Sequence, residues 1–349
     1  MERNIARLGN RLARLGVGLR PHLKTAKSLE VARLQMPSAS GPATVSTLRE
    51  AEVFAAAGVT DMIYAVGVAP QKLPRVARLR AQGVDLAVVL DSVEQARAVA
   101  AAGIPGLIEI DADGHRAGIR ATDRERLLAV ARLLAAAGVL RGVLTHAGGS
   151  YQAQGAAALE RAAEQERAAV VDAAETLRGA ELPCPVVSVG STPTAHFARD
   201  LSGVTEVRAG VYVFFDLVMA DLGVCTWDDI AISVLATVIG HQPDKGWTLT
   251  DAGWMATSRD LGSGRHGYGV VCDVHGVPIS DAIMSGASQE HGVVALRPNS
   301  QASPMQLPVG TRLRLWPNHA CATAAQFDRY HVVAGTERVE AQWPRFGGW

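Results

Sequence analysis

Lys24 lies in Arg20-Pro21-His22-Leu23-Lys24, just past a short apolar segment, with Lys27 one helical turn further on. An amine crowded by positive charge and partly buried is pushed toward its uncharged form, which is what Schiff-base chemistry on a carbonyl requires. Lys24 is favoured over Lys27, which falls within the start of the following helix. A second group pairs Gly190-Ser191-Thr192-Pro193-Thr194 with Arg208-Ala209-Gly210-Val211-Tyr212. Free amides at a glycine turn, with hydroxyls at a helix start, suit an anion such as a phosphate. A third joins His146-Ala147-Gly148-Gly149-Ser150-Tyr151 to Asp111-Ala112-Asp113-Gly114-His115-Arg116, offering imidazole, phenol and guanidinium to a ligand. The fourth is Pro317-Asn318-His319-Ala320-Cys321. Two residues apart on an extended strand, an imidazole and a thiolate reach the same side and share one ion. Nitrogen and sulfur ligands suit zinc, and only two of them imply an open site completed by water, substrate or a distant side chain. Each group alone also reads as a surface lysine, a capping turn, a plain loop or a chance His-x-Cys; together they carry weight.

Placing these groups falls to eight short apolar segments, at 18–22, 43–47, 61–67, 85–92, 106–113, 142–148, 185–191 and 205–212. They are rich in Val, Ile and Leu, as parallel strands covered on both faces are. Helical patterns alternate with them, the clearest at 124–137, where Leu127, Leu128, Val130, Leu133 and Leu134 can share a face. Helices closing in Ala-Ala-Ala-Gly or its like stop at Gly58, Gly103 and Gly138, where glycine accepts a left-handed conformation. The eight-fold alternation predicts an α/β fold, a (β/α)8 TIM-like barrel, whose reactive groups gather where the strands finish. Beyond about Asp221 the texture becomes β-branched and broken by Gly, Pro and Asp, with segments at 231–241, 247–251, 268–274, 292–296 and 311–316. That predicts a mostly antiparallel β domain, with domains at 1–222 and 223–349 and a ligand cleft between barrel mouth and β domain.

At 349 residues the chain accommodates both. A formal net charge of zero removes the electrostatic footprint of a nucleic-acid binder. No apolar run is long enough to span a bilayer, and the start lacks the apolar core of a signal peptide, so a cytoplasmic address is expected. Cys184, Cys225, Cys272 and Cys321 contain no Cys-x-x-Cys pair and suggest no disulfide framework.

The motifs just quoted, including Val-Gly-Ser-Thr-Pro-Thr and Val-Arg-Ala-Gly-Val-Tyr, resemble the alanine-racemase-like barrels, fold-type III enzymes that bind pyridoxal 5'-phosphate and carry a β domain. The closing Pro-Asn-His-Ala-Cys-Ala-Thr resembles the D-serine dehydratase-like branch, which adds zinc; Mn2+, Co2+ or Mg2+ are alternatives. The resemblance implies that Lys24 holds the cofactor covalently and later takes the α-proton. It places Arg116 near the cofactor's phenolic oxygen, Arg208 at its ring nitrogen with His146 beside it, and His22 and Tyr151 in contact with it. Ser191, Thr192, Gly210 and Val211 would hold the phosphate, and His319 with Cys321 the metal. The family opens with a further strand, roughly Thr-Pro-x-x-Val-x-Asp-Leu-Asp, that this sequence does not contain; its absence is expected to expose an edge and weaken packing of the β domain.

The activity so implied is a lyase: dehydration of a D-3-hydroxy amino acid with release of ammonia. D-threo-3-hydroxyaspartate would give oxaloacetate, and D-serine would give pyruvate. The alternative is a metal-dependent aldolase on the same scaffold, of the D-threonine or 3-hydroxy-D-aspartate type; the cysteine in His319-x-Cys321, where that sister group carries aspartate, argues against it. Racemization would leave the metal motif without a role. Arg259, Arg265 and His266 are candidates for binding a second substrate carboxylate. A homodimer is what the resemblance suggests, with no nucleic-acid or membrane partner.

Overall fold

The computed structural model describes residues 1–302, 307–334 and 337–349. The chain forms two compact units, Glu2–Tyr212 with Gly348–Trp349, and Val213–Gly347 with Met1. This division falls between Tyr212 and Val213, ahead of the boundary expected after residue 222.

The first unit is built on parallel strands β1 (Gly18–Leu19), β2 (Ala43–Val45), β3 (Asp61–Gly67), β4 (Asp85–Leu90), β5 (Gly106–Asp111), β7 (Leu140–Thr145), β8 (Val186–Val189) and β9 (Glu206–Val207). A short strand β6 (Ile119–Arg120) pairs with β5. Their order is β1-β9-β8-β7-β5-β4-β3-β2. The two ends of this row meet where Thr44 N donates to Pro21 O (2.8 Å) and Leu23 N donates to Thr44 O (2.9 Å). All eight expected segments are present, and several stop short of their expected ends. The rim residues leave the hydrogen-bonded ladder there, and so are free to face the mouth rather than a neighbouring strand.

Ile63, Ala87, Val89, Leu107 and Leu144 form one apolar cluster, joined by Ala65 and Val186. Residues two further along, Glu109 and Ser188, fall on the same face by strand alternation. The sheet face is therefore apolar toward one end of its strands and polar toward the rim. Around it, the helix Arg124–Ala136 buries Leu127, Val130, Ala131 and Leu134. Leu128 and Leu133, expected on that face, are only partly buried, because a 3.6-residue period cannot align all five leucine and valine positions. Gly58, Gly103 and Gly138 all have positive φ, as helix-ending glycines do.

The second unit is a closed antiparallel barrel of order β10-β11-β14-β13-β12-β15. Its strands are β10 (Val234–Gln242), β11 (Trp247–Thr250), β12 (Val270–Cys272), β13 (Pro278–Ala287), β14 (Gly292–Leu296) and β15 (Arg312–Trp316). Closure removes every open edge from this small sheet. Val234, Ala236, Val238, Val271, Met284, Val294, Leu313 and Leu315 supply its core. Sequence reasoning misses β13, which carries Pro278, Asp281 and Gly286 and bulges between Met284 and Gly286. A separate hairpin pairs β16 (Arg329–Val332) with β17 (Ala341–Pro344). No helix among the described residues is long and apolar enough to cross a membrane.

Candidate active site

Four adjacent strands of the parallel barrel, β1, β9, β8 and β7, deliver most of the expected residues at their C-terminal ends. Lys24 follows β1 and is exposed, so the partial burial expected for it is not found. Its amine has neither hydrogen bond nor ion pair among the described residues, in contrast to every nearby cation that burial has claimed. Lys27 precedes the next helix, Leu29–Gln35, rather than lying in it, and takes a positive φ of 45°. Its Nζ is 3.2 Å from Oε1 of Glu50, a carboxylate with no exposed side-chain surface. Arg20 is likewise committed, to Glu206 (2.7 Å) and Asp61 (2.7 Å), and contributes little free charge to Lys24.

Arg208 is the buried cation of the site, 4% exposed. Its guanidinium donates to Ser188 Oγ (2.5 Å) and to Thr145 O (2.5 Å). Burial pushes its pKa down, and Glu206, Glu166 and Glu109 oppose that. The two imidazoles nearby stay neutral. Burial holds His146 down at about 3, reinforced by the charges of Lys24, Arg116 and Arg208. His22 is driven well below its ordinary value by burial, then by Lys24 and Arg208. His146 Nδ1 lies 2.6 Å from Gly190 O; since a carbonyl only accepts, the proton is on Nδ1 and Nε2 is a free acceptor. Tyr151 is half-exposed, with its ring 6.3 Å from that of His146. Arg116 is exposed at the mouth, 3.6 Å from Glu109 Oε1.

Close backbone approach shapes this rim. A Cβ on Gly190 would stand 1.8 Å from Arg208 O, and one on Gly210 would stand 3.2 Å from His22 O, so β8, β9 and the β1 end press together. Val211 is buried beside them. The turn after β8 is a reciprocal cap: Ser191 Oγ accepts from Thr194 N (3.2 Å), and Thr194 Oγ1 from Ser191 N (3.2 Å). Ser150 Oγ donates to Ala147 O (2.7 Å), and Ser191 Oγ lies 2.9 Å from both Ser150 Oγ and Thr194 Oγ1, so Ser191 is tied into the turn's own hydroxyl network. Thr192 Oγ1, in contrast, is buried with no hydrogen-bond partner, as is His22 Nδ1. A buried hydroxyl and a buried ring nitrogen left unpaired beside a free amine fit a cofactor carrying an anionic group.

Glu166 was not anticipated. It lies on the helix Ala156–Gly179, along the buried stripe of Leu159, Ala163, Val170 and Ala173, and is 2% exposed. A charged residue on an otherwise apolar stripe is the sequence signal that could have found it.

In the second unit, His319 and Cys321 come together by a route other than strand alternation. β15 ends at Trp316, His319 is the N-cap of the helix Ala320–Ala324, and Cys321 lies in its first turn. Asp260 Oδ2 is 2.7 Å from His319 Nδ1. That hydrogen bond, followed by one with Cys321, raises His319 to about 10. Asp216 is buried and raised to about 6 by burial; its oxygens accept from Ala320 N (2.9 Å) and Met219 N (3.0 Å), fixing the helix start. No cluster of three or more His, Cys, Asp or Glu able to hold an ion occurs among the described residues. The donor set, one imidazole oriented by a carboxylate and one thiol, fits an open divalent site. His266, considered for a substrate carboxylate, is buried and engaged by Asp221 (2.9 Å) and Arg297 (2.7 Å). Arg259 lies over the Trp254 ring at 5.1 Å. Cys184, Cys225 and Cys272 are buried and not in disulfides.

Comparison with known proteins finds relatives over the whole chain. Residues 1–218 match the family model described as "Alanine racemase, N-terminal domain", and 231–333 match "Putative serine dehydratase domain". The chain is 54% identical to D-threo-3-hydroxyaspartate dehydratase of Delftia sp. (strain HT23), over 100% of this chain and 95% of the relative. The solved structure of that enzyme superposes with a TM-score of 0.96, again covering 100% and 95%. A further structure of the enzyme, a cysteine-to-alanine mutant in the metal-free form, has the same TM-score at 53% identity, with the same coverage. D-serine dehydratase of Dictyostelium discoideum is 29% identical over 96% of this chain and 91% of the relative. D-threonine aldolase from Filomicrobium marinum is more distant, with a TM-score of 0.81 and 26% identity over 98% and 91%. The chain belongs to the family of fold-type III enzymes that joins an alanine racemase N-terminal barrel to a D-serine dehydratase-type domain.

Proposed function

We propose that this chain is a pyridoxal 5'-phosphate- and divalent-metal-dependent dehydratase of D-3-hydroxy amino acids, acting on D-threo-3-hydroxyaspartate to give oxaloacetate and ammonia. The observation that carries the reading is the unpartnered Lys24 amine on the same barrel rim as the unpaired Thr192 hydroxyl and His22 nitrogen. Full-length likeness to D-threo-3-hydroxyaspartate dehydratase supports the substrate, and likeness to D-serine dehydratase supports D-serine as a second one. When bound, the cofactor supplies an electron sink, and a divalent ion (zinc first) supplies Lewis acidity for a leaving hydroxyl.

The protein's own groups then divide the work. Lys24 Nζ, the unpartnered amine of the rim, would hold the cofactor and would serve as the base for the substrate's α-proton. Arg208, fixed by Ser188 and Thr145, holds a positive charge at the base of the site without giving up a proton. His146, neutral with its proton on Nδ1, presents Nε2 as an acceptor and brings no competing charge. Thr192 Oγ1, buried and unpaired, would donate to the phosphate, with Gly210 and Val211 offering backbone N–H groups and Ser191 shaping the turn. Arg116 and Tyr151 border the cofactor from the β5 and β7 loops. His319 and Cys321 would hold the ion, with cofactor binding assigned to 1–222 and metal binding to 223–349. A homodimer is supported by family likeness, and a cytoplasmic address by four cysteines that form no disulfide.

The test supplies D-threo-3-hydroxyaspartate, pyridoxal phosphate and Zn2+ to the purified protein and measures products. Ammonia with oxaloacetate is expected. Glycine with glyoxylate would replace this reading by the aldolase one.

A further inference from the structure

The pairing of β7 with β8 runs only from Gly142–Val186 to Leu144–Ser188. Beyond it the two chains have left the ladder, yet both are buried, and their N–H groups still need acceptors. Glu166 provides one. Its Oε1 accepts from Ala147 N (3.0 Å) and from Gly190 N (2.9 Å) together. Ala147 follows His146, and Gly190 precedes Ser191 and Thr192. The Gly190 peptide is gripped on both sides, since its carbonyl accepts from His146 Nδ1 at 2.6 Å. The Ser150–Ser191 hydroxyl contact closes the same seam at 2.9 Å.

From this seam we infer that Glu166 is a positioning residue for phosphate recognition: its carboxylate sets the direction of the Gly190–Thr192 turn, and so where the Thr192 hydroxyl points. The inference rests on the reading that this rim binds pyridoxal phosphate. Geometry makes the length of the side chain decisive. One oxygen must reach two N–H groups on different loops from a helix behind them; aspartate, one methylene shorter, cannot reach both. Glutamine can, because its amide oxygen has two lone pairs and the same reach. Burial pushes the Glu166 carboxyl above its usual range, while hydrogen bonds from Thr194, Ala147 and Gly190 and the charge of Arg208 pull it back. The bridge therefore depends on an acceptor oxygen at that point more than on charge.

The experiment titrates the full-length protein with pyridoxal 5'-phosphate and with pyridoxal, which lacks the phosphate, following the absorbance of bound cofactor. Glu166→Asp is expected to weaken pyridoxal phosphate binding about ten-fold, the size of one lost hydrogen bond to a charged group, and to leave pyridoxal binding unchanged. Glu166→Gln should bind both within about two-fold of the unaltered protein. Equal losses for the two ligands in Glu166→Asp, or no loss for either, would overturn the inference. So would a Glu166→Asp protein that does not fold, which would make the residue a pillar of the barrel, or a Glu166→Gln protein that loses phosphate-dependent affinity. Failure of the unaltered protein to bind pyridoxal phosphate at all would instead refute the functional reading beneath it.

Discussion

Replacing Gly190 by alanine places one methyl group where the rim has least room. Its Cβ would stand 1.8 Å from Arg208 O and 2.7 Å from Arg208 N, whereas ordinary contact begins at 3.4 Å. Both neighbours are backbone, so no rotamer change relieves the overlap, and the end of β8 must draw away from β9 by more than an ångström. That movement breaks the bond from Arg208 N to Val189 O (2.7 Å) and the bond from Gly190 N to Glu166 (2.9 Å). Two buried groups left unpaired cost roughly 4 kcal/mol in all. For a unit of this size the melting temperature should fall by about 8–16 °C. Gly58→Ala is the control: φ is +95° and nothing lies within 4 Å of the added carbon, so only backbone strain of about 1 kcal/mol applies. Thermal unfolding of the two variants beside the unaltered protein decides it. Melting of Gly190→Ala within a degree or two of Gly58→Ala would show that the strands are not pressed together as described.

Three further outcomes are expected. His146 is held at about 3, against 6.5 when unfolded, so its neutral form is the folded one. The stability this contributes is complete above pH 6.5 and is lost as pH falls toward 3, at up to about 1.4 kcal/mol per pH unit; His146→Gln should flatten melting temperature against pH between 6 and 4, roughly the span where the imidazole begins to resist charging, and an unchanged slope would contradict its burial. Lys27→Ala strands the Glu50 carboxylate without its cation and should cost about 2–4 kcal/mol in unfolding free energy, while leaving cofactor binding intact; loss of the bound-cofactor spectrum would reverse the choice of Lys24. Asp260→Asn should weaken metal affinity, measured by competition with a chelating dye, by about 10–100-fold, because the carboxylate no longer fixes the His319 ring. Unaltered affinity would leave Asp260 without a role at the metal.

The parallel barrel was legible because strands covered on both faces must be apolar runs, and because helix-ending glycines such as Gly58, Gly103 and Gly138 mark the repeat. Lys24, Arg208 and Thr192 could be picked out for the same reason: position after a strand is visible in the chain. Partnership is not. That Arg20 is neutralised by Glu206 and Lys27 by Glu50 depends on which strands become neighbours. Asp260 meets His319 across 59 residues, a contact no local spacing encodes. Glu166 went unremarked in the sequence, where it is only a charge on an apolar stripe; that it bridges two loops follows from where β7 and β8 cease to pair. The His319–Cys321 proximity was anticipated for the wrong reason, since a helix cap rather than a strand brings the two together. β13 was obscured by residues that ordinarily end strands: Pro278 opens it, Asp281 takes a positive φ of 57° within it, and Gly286 sits at its bulge.

The covalent role proposed for Lys24 is addressed directly by borohydride reduction of the protein with its cofactor, followed by peptide mass mapping. A phosphopyridoxyl group is expected on Lys24 and none on Lys27. An unlabelled Lys24, or label on another lysine, would contradict it.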